Sequence, residues 1–96
     1  MTISHAVGVG NQLSVETLNF KTPIVHTSTS VTHCVVINVQ NVAVINNATL
    51  TLTTLDVENI NGLIVRSGSQ LVIDAASVNI ESGGLDVEPG AELDIR

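Results

Sequence analysis

A pattern of 11 residues occurs twice in the second half of the chain, at a spacing of 22. Leu63–Ile73 and Leu85–Ile95 align residue for residue at a spacing of 22, and Val42–Leu52 precedes them at a spacing of 21. Each copy alternates apolar and polar residues as β-strands do. A fixed period of this kind is the signature of a solenoid whose coils stack on one another. The repeat predicts an all-β fold, a small parallel β-helix or β-solenoid of about three to four coils of roughly 20–22 residues.

The alternation also assigns side chains to the interior of the coils, because successive residues of a strand point to opposite faces. The predicted inward pairs are Val42/Val44, Leu63/Val65 and Leu85/Val87 in the first strands; Leu50/Leu52, Leu71/Ile73 and Leu93/Ile95 in the second; and Val35/Ile37, Leu55/Val57 and Val78/Ile80 in the third. The same alternation places Val72 on the outer face.

Turn residues recur at equivalent positions of the repeat. Asn47, Gly68 and Gly90 align with one another, and Asn and Gly tolerate positive φ best. Asn61-Gly62 and Gly83-Gly84 precede the next coils, and such pairs are also strong hairpin signals. An antiparallel β-sandwich is therefore the alternative fold, although hairpins do not require whole coils to repeat.

Stacking also predicts which outward side chains of neighbouring coils meet. Arg66 is expected to contact Glu88, Asp74 to contact Arg96, and Glu58 to lie over the like-charged Glu81.

The N-terminal third repeats less regularly. Val7/Val9, Leu13/Val15 and Leu18/Phe20 alternate like strands, and Lys21-Thr22-Pro23 interrupts them. We divide the chain into residues 1–30, a cap or an arm exchanged with another copy that carries degenerate strands, and residues 31–96, the solenoid coils. A degenerate coil followed by a connector is the other interpretation of the first segment.

The copies at 63–73 and 85–95, and more weakly the chain back to Val35, resemble the parallel β-helix repeats of bacterial and phage surface proteins, including adhesins and tailspike-type fibres. The resemblance implies the solenoid fold and an extracellular or particle-surface location. It implies no active site, because this architecture carries many unrelated functions.

Composition excludes several functional classes. The formal net charge is -6, with three Lys and Arg residues and one aromatic residue, so the clustered cations and stacking rings of nucleic-acid binders are missing. No apolar stretch has the length of a membrane span. The single Cys34 excludes an internal disulfide. All acidic residues except Glu16 occur from Asp56 onward.

The sequence offers few candidates for chemistry. Asp56, Glu58 and Glu81 are weak Ca²⁺ candidates, since hard cations prefer several oxygen ligands. His26, His33 and Cys34 match no compact zinc motif, and a structural or surface role is predicted for them. We predict no catalytic residue, no cofactor and no enzymatic activity.

The last coil carries the prediction of function. The sequence stops at Arg96 after the second strand of that coil, which predicts an open edge at Leu93, Asp94, Ile95 and Arg96. We expect one of three outcomes for this edge. The N-terminal segment folds over it, another copy stacks on it, or the chain is a fragment of a longer protein. The main hypothesis is a non-enzymatic structural subunit that forms a homo-oligomer or polymer, such as a surface fibre, filament or virion-type component.

Two other functions stay open at this point. One is a surface adhesin that binds a glycan or a cell-surface receptor. The other is a small polysaccharide-active β-helix enzyme.

Overall fold

The computed structural model describes residues 2–3, 15–32 and 34–96, which form nine β-strands. They are β1 (Thr2–Ile3), β2 (Val15–Phe20), β3 (Ile24–Val25), β4 (Thr29–Val31), β5 (Cys34–Val44), β6 (Thr49–Val65), β7 (Gln70–Ile80), β8 (Leu85–Val87) and β9 (Glu92–Ile95). Every strand pair is parallel, and the strands join in one sheet that winds through about four coils. The predicted β-solenoid is confirmed, and the antiparallel sandwich is wrong. The described part of the chain contains no helix of a length and hydropathy that would span a bilayer.

The register of the stacked coils is the one that the repeat predicts. Leu63 pairs with Leu85 on β8, and Leu71 pairs with Leu93 on β9. One coil earlier, Val44 pairs with Val65. Equivalent residues of the repeat therefore lie one strand spacing apart, about 4.8 Å, along the axis of the solenoid.

A single apolar core fills the interior. Its buried members include most of the predicted inward residues, namely Ile37, Val42, Val44, Leu50, Leu52, Val57, Leu63, Val65, Leu71 and Ile73, together with Leu18, Phe20, Val25, Val31, Val39 and Ile60. Burying a side chain of this size contributes roughly 1.5–3 kcal/mol relative to leaving it in water. Burial of these side chains by neighbouring coils therefore supplies a large part of the stability of the fold.

Two predicted inward residues point outward instead. Leu55 is 61% exposed and Val35 is 45% exposed. The chain turns a corner here, and Thr54 occupies the position between Cys34 and Ala75, both of which pack against the core. The Thr54 hydroxyl donates to the carbonyl oxygens of Cys34 at 3.1 Å and Val35 at 2.8 Å. Two consecutive outward residues follow at the corner, so strict alternation across it gives the wrong face for Leu55 and Val35.

The side chain of Val72 is also less accessible than its outer position suggests. It lies outside the core cluster, yet it is only 7% exposed. Its register partners are Thr51 on one side and Asp94 on the other.

A β-bulge changes the predicted stack of like charges. The pairing of β6 with β7 shifts between Val57 and Ile60, where an extra residue is accommodated near Glu58. The backbone N–H of Glu81 consequently donates to the carbonyl oxygen of Ile60, at 3.0 Å. Glu58 and Glu81 therefore do not occupy equivalent positions, and the prediction that they stack is wrong.

The predicted corner positions have the expected backbone. Asn47, Gly68 and Gly90 all adopt positive φ, at 58°, 85° and 88°. A Cβ at Gly68 would also collide with the Asn47 side chain of the preceding coil. Positive φ therefore favours Gly or Asn at this corner, and a larger residue at Gly68 would displace the Asn47 side chain.

Part of the N-terminal segment belongs to the stacked sheet. β2 and β3 pair in parallel with β5, and β4 pairs with β6. The strands predicted at Val7/Val9 and Leu13, like His33, lie outside the described residues. The exchange of an arm between copies stays a prediction.

Matched substitutions test the corrected face assignment. Val65→Asp should abolish cooperative folding, because it places a carboxylate in the closed interior. Val35→Asp should change the free energy of unfolding by less than about 1 kcal/mol, because Val35 lies at an exposed corner. Denaturant titration followed by circular dichroism measures both, and comparable losses at the two sites would contradict the assignment.

Ser69 gives a second stability test. It is 1% exposed between coils, and its hydroxyl has no hydrogen-bond partner. Ser69→Ala should raise the free energy of unfolding by about 1 kcal/mol, since it removes an unsatisfied buried polar group. The exposed neighbour Ser67→Ala is the control and should be nearly neutral. A destabilised Ser69→Ala variant would show that the hydroxyl makes a useful interaction.

Candidate self-association face

The last coil of the stack consists of the second half of β7 together with β8 and β9. β8 pairs with β6, and β9 pairs with the first half of β7. Among residues 2–3, 15–32 and 34–96, no strand pairs with the opposite edges of this coil. We define the open face as the unpaired edges of β8, β9 and the second half of β7, together with the inward side chains of this last coil. These side chains are Val78, Ile80, Leu85, Val87, Leu93 and Ile95.

In the interior of the solenoid, inward register partners of successive coils form columns along the axis. The apolar side chains that end these columns are exposed on the open face. Ile80, Leu93 and Ile95 are 36%, 40% and 48% exposed, whereas their register partners Ile60, Leu71 and Ile73 are fully buried. Val78, Leu85 and Val87 of the same coil are partly buried against the core. The difference arises from position in the stack, because the residue types are the same.

The first described coil is covered, in contrast to the last. Leu18, Phe20, Val25 and Val31 are buried, with exposed fractions of 2% or less. β1 pairs with β2 on this side, Thr2 opposite Asn19 and Ile3 opposite Phe20. The two sides of the stack therefore present different surfaces.

The four predicted edge residues all lie at or beside β9. Leu93 and Ile95 continue interior columns, whereas Asp94 and Arg96 form an exposed ion pair at 3.1 Å. The backbone N–H of Arg96 donates to the carbonyl oxygen of Ile73 at 2.8 Å, which places Arg96 beside Asp74 as predicted. The predicted side-chain pair with Asp74 is wrong, because the Arg96 guanidinium contacts the carboxylate on its own strand.

The rim of the open face is acidic. Its charged residues are Glu81, Asp86, Glu88, Glu92 and Asp94, with Arg96 as the cation of the same coil. Five of the nine acidic residues of the chain thereby lie around one side of the solenoid.

One rim carboxylate is tied to the preceding coil, as predicted. Arg66 donates to Glu88 at 2.7 Å, and the backbone N–H of Ser67 donates to the same carboxylate at 3.2 Å. The Arg66 hydrogen bond, followed by that of Ser67, holds the pKa of Glu88 below its ordinary value of 4.5. This contact connects the last two coils at one corner.

Two of the carboxylates predicted as weak Ca²⁺ candidates, Asp56 and Glu58, lie on β6, and the third, Glu81, lies one coil further on, after β7. Asp56 pairs with Val36 of β5 and Ser77 of β7, and Glu58 lies at the bulge. The described residues contain no group of three or more His, Cys, Asp or Glu side chains placed to hold a metal ion.

The other candidate ligands occupy unrelated environments. The His26 ring lies on the surface, with its Nδ1 3.2 Å from the Thr27 hydroxyl. Cys34 packs against the core, and burial raises the pKa of its thiol. A thiol in this environment is protonated at neutral pH and reacts poorly.

A column of asparagines was not predicted from the sequence. Asn19, Asn38 and Asn59 are register partners, and Asn79 follows opposite the bulge. The Asn38 amide donates to the Asn19 side-chain oxygen at 3.4 Å. Their spacing of about one coil was the available signal, although Asn is frequent throughout this chain. Asn79 is exposed and presents the column at the open face.

Comparisons of the chain with protein families, with curated proteins and with solved structures find no match. The adhesin and polysaccharide-active alternatives stay predictions.

The Glu88 contact predicts a pH-dependent contribution to stability. Its lowered pKa in the folded state means that the stabilisation is present above the ordinary value of 4.5 and is lost as the pH falls through the lower folded value. Glu88→Gln should therefore be less stable than the parent at pH 7 and should approach it at acidic pH. Thermal unfolding across this range checks the prediction, and a pH-independent difference would contradict it. Glu92→Gln, on the same rim, is the control.

Proposed function

We propose that this chain is a non-enzymatic structural subunit that associates with other copies of itself through the open face. The single observation that carries the proposal is the exposure of Ile80, Leu93 and Ile95 in columns that are closed elsewhere. A second coil placed on this face would give these side chains the surroundings that their partners already have.

The apolar contribution is substantial for a chain of this size. Complete burial of Leu or Ile contributes roughly 1.5–3 kcal/mol, so closing these half-exposed side chains contributes about 1 kcal/mol each. Val78, Leu85 and Val87 add apolar surface around them.

The unpaired strand edges determine how a partner strand must align with the open face. The outer edges of β8, β9 and the second half of β7 carry backbone groups that can pair with an added strand. Such edges act as templates for another chain, and the parallel sheet of this solenoid sets the spacing that a partner must match.

The proposed setting follows from the resemblance to β-helix surface proteins. We place the assembly at an extracellular or particle surface, as a fibre, filament or virion-type component. The polar outer faces, rich in Thr, Ser and Asn, suit an assembly exposed to water.

Matched aspartate substitutions test the proposal. The parent chain, with a monomer mass of 10.0 kDa, should form larger species whose population rises with concentration. Ile95→Asp should weaken this association at least tenfold, because it places a carboxylate at the apolar contact. Leu55→Asp changes a more exposed apolar residue away from the open face and should leave association unchanged.

Sedimentation velocity across micromolar concentrations measures these species directly. A parent chain that stays at monomer mass throughout, or equal losses for Ile95→Asp and Leu55→Asp, would refute the proposed use of the open face. Circular dichroism confirms that each variant is folded.

A further inference from the structure

Among residues 2–3, 15–32 and 34–96, two strands of the same column have an edge that no other strand pairs with, and they lie at opposite ends of the stack. β1 is the first strand of the sheet, and the second half of β7 is the last strand of the same columns. Two neighbouring columns of register partners run along the axis between these strands. The first column consists of Ile3, Phe20, Val39, Ile60 and Ile80. The second begins with Thr2, Asn19, Asn38 and Asn59 and reaches Asn79 at the bulge.

These edges have compatible direction. All strands in the described residues are parallel, so β1 and β7 run the same way. A second copy moved along the solenoid axis therefore brings its β1 alongside Asn79 and Ile80 as a further parallel strand. In that position the backbone register makes Ile3 of that copy the partner of Ile80.

Charge distinguishes this arrangement from contact between two open faces. Five carboxylates and Arg96 surround the open face, and pairing it with itself brings both sets together. Two like charges 4 Å apart repel by about 1 kcal/mol even in water, and like charges on adjacent strands destabilise pairing. The sequence before Asp56 carries one acidic residue, Glu16, and one basic residue, Lys21, so the first coils present no comparable excess of negative charge.

The attraction between Lys21 and the acidic rim contributes little to this arrangement. Lys21 follows Phe20 in the column that continues through Gln40 and Asn61 to Glu81. In the stack of two copies, Lys21 of one copy and Glu81 of another are about two strand spacings apart, roughly 10 Å, which exceeds the Debye length of about 8 Å at physiological salt, so their attraction is largely screened.

We infer that copies of this chain associate head to tail, with β1 of one copy added in parallel to the Asn79–Ile80 edge of another. This inference rests on the proposed self-association and specifies its partner surface and polarity. Because the two contacting surfaces differ, each added copy presents a new open face. The product is an open polar stack, whereas contact between two open faces would stop at a dimer.

Disulfide trapping between two single-cysteine variants tests the polarity. Both carry Cys34→Ala, since Ala75 occupies the equivalent inward position one coil beyond Thr54. One copy carries Thr2→Cys and the other, labelled with ¹⁵N, carries Asn79→Cys. Neighbouring parallel strands bring such positions within the Cα distance of about 4.4–6.8 Å that a disulfide requires.

Oxidation of the mixed variants should yield mainly the mixed dimer, identified by its intermediate mass. A single chain with both cysteines should yield a ladder of species. Asp86→Cys, on another side of the open face, replaces Asn79→Cys as the control and should trap at least tenfold less of the mixed dimer. Cys34→Val provides a second background if Cys34→Ala fails to fold.

The outcomes separate the two proposals. Predominant Asn79→Cys homodimers would overturn head-to-tail polarity while leaving self-association intact. Association of the Cys34→Ala parent in sedimentation without mixed trapping would overturn the pairing of β1. A parent that remains monomeric in sedimentation would refute self-association itself.

Discussion

Stacking of one coil on the next is the interaction on which the whole structure depends. An inward residue with a coil on both sides is closed, as for Leu71 between Leu50 and Leu93. Backbone pairing and side-chain burial are therefore gained together as coils are added. The same coupling produces the candidate site, because no strand of the described residues covers the apolar columns and strand edges of the last coil.

Polar residues shape the stack without opening its interior. Positive-φ Asn and Gly residues turn the corners, and Thr54 satisfies backbone carbonyls where an inward position is polar. Ser69 shows the limit of this arrangement, since its buried hydroxyl lacks a partner. Most charges remain outside, and their concentration around the last coil makes the two sides of the solenoid chemically different. This asymmetry is the basis for a polar rather than a symmetric assembly.

The repeat allowed the parallel register and the Arg66–Glu88 contact to be predicted, because matched residues in adjacent coils must lie beside one another. It failed at corners and at the bulge. Two outward residues in succession reverse the alternation near Leu55, and the shift after Val57 separates Glu58 from Glu81. Each of these irregularities shifts the in–out alternation by one residue. The apolar pattern is regular on both sides of the shift, so the sequence does not reveal where it occurs. The edge residues of β9 were predictable from the sequence. The difference in solvent exposure between them and their buried register partners could be seen only in the stacked structure.

The amino-acid sequence by itself determined the coil period, the register of the repeated strands outside the bulge and the corner at Asn47, Gly68 and Gly90, since these follow from local alternation and repeated Asn or Gly. Only the tertiary structure decided which equivalent residues are buried and which are available to a partner. Ile73 and Ile95 have the same side chain and the same place in the repeat, yet Ile73 is closed and Ile95 is 48% exposed. The reason is that burial depends on the neighbouring coils along the axis, which no single repeat encodes.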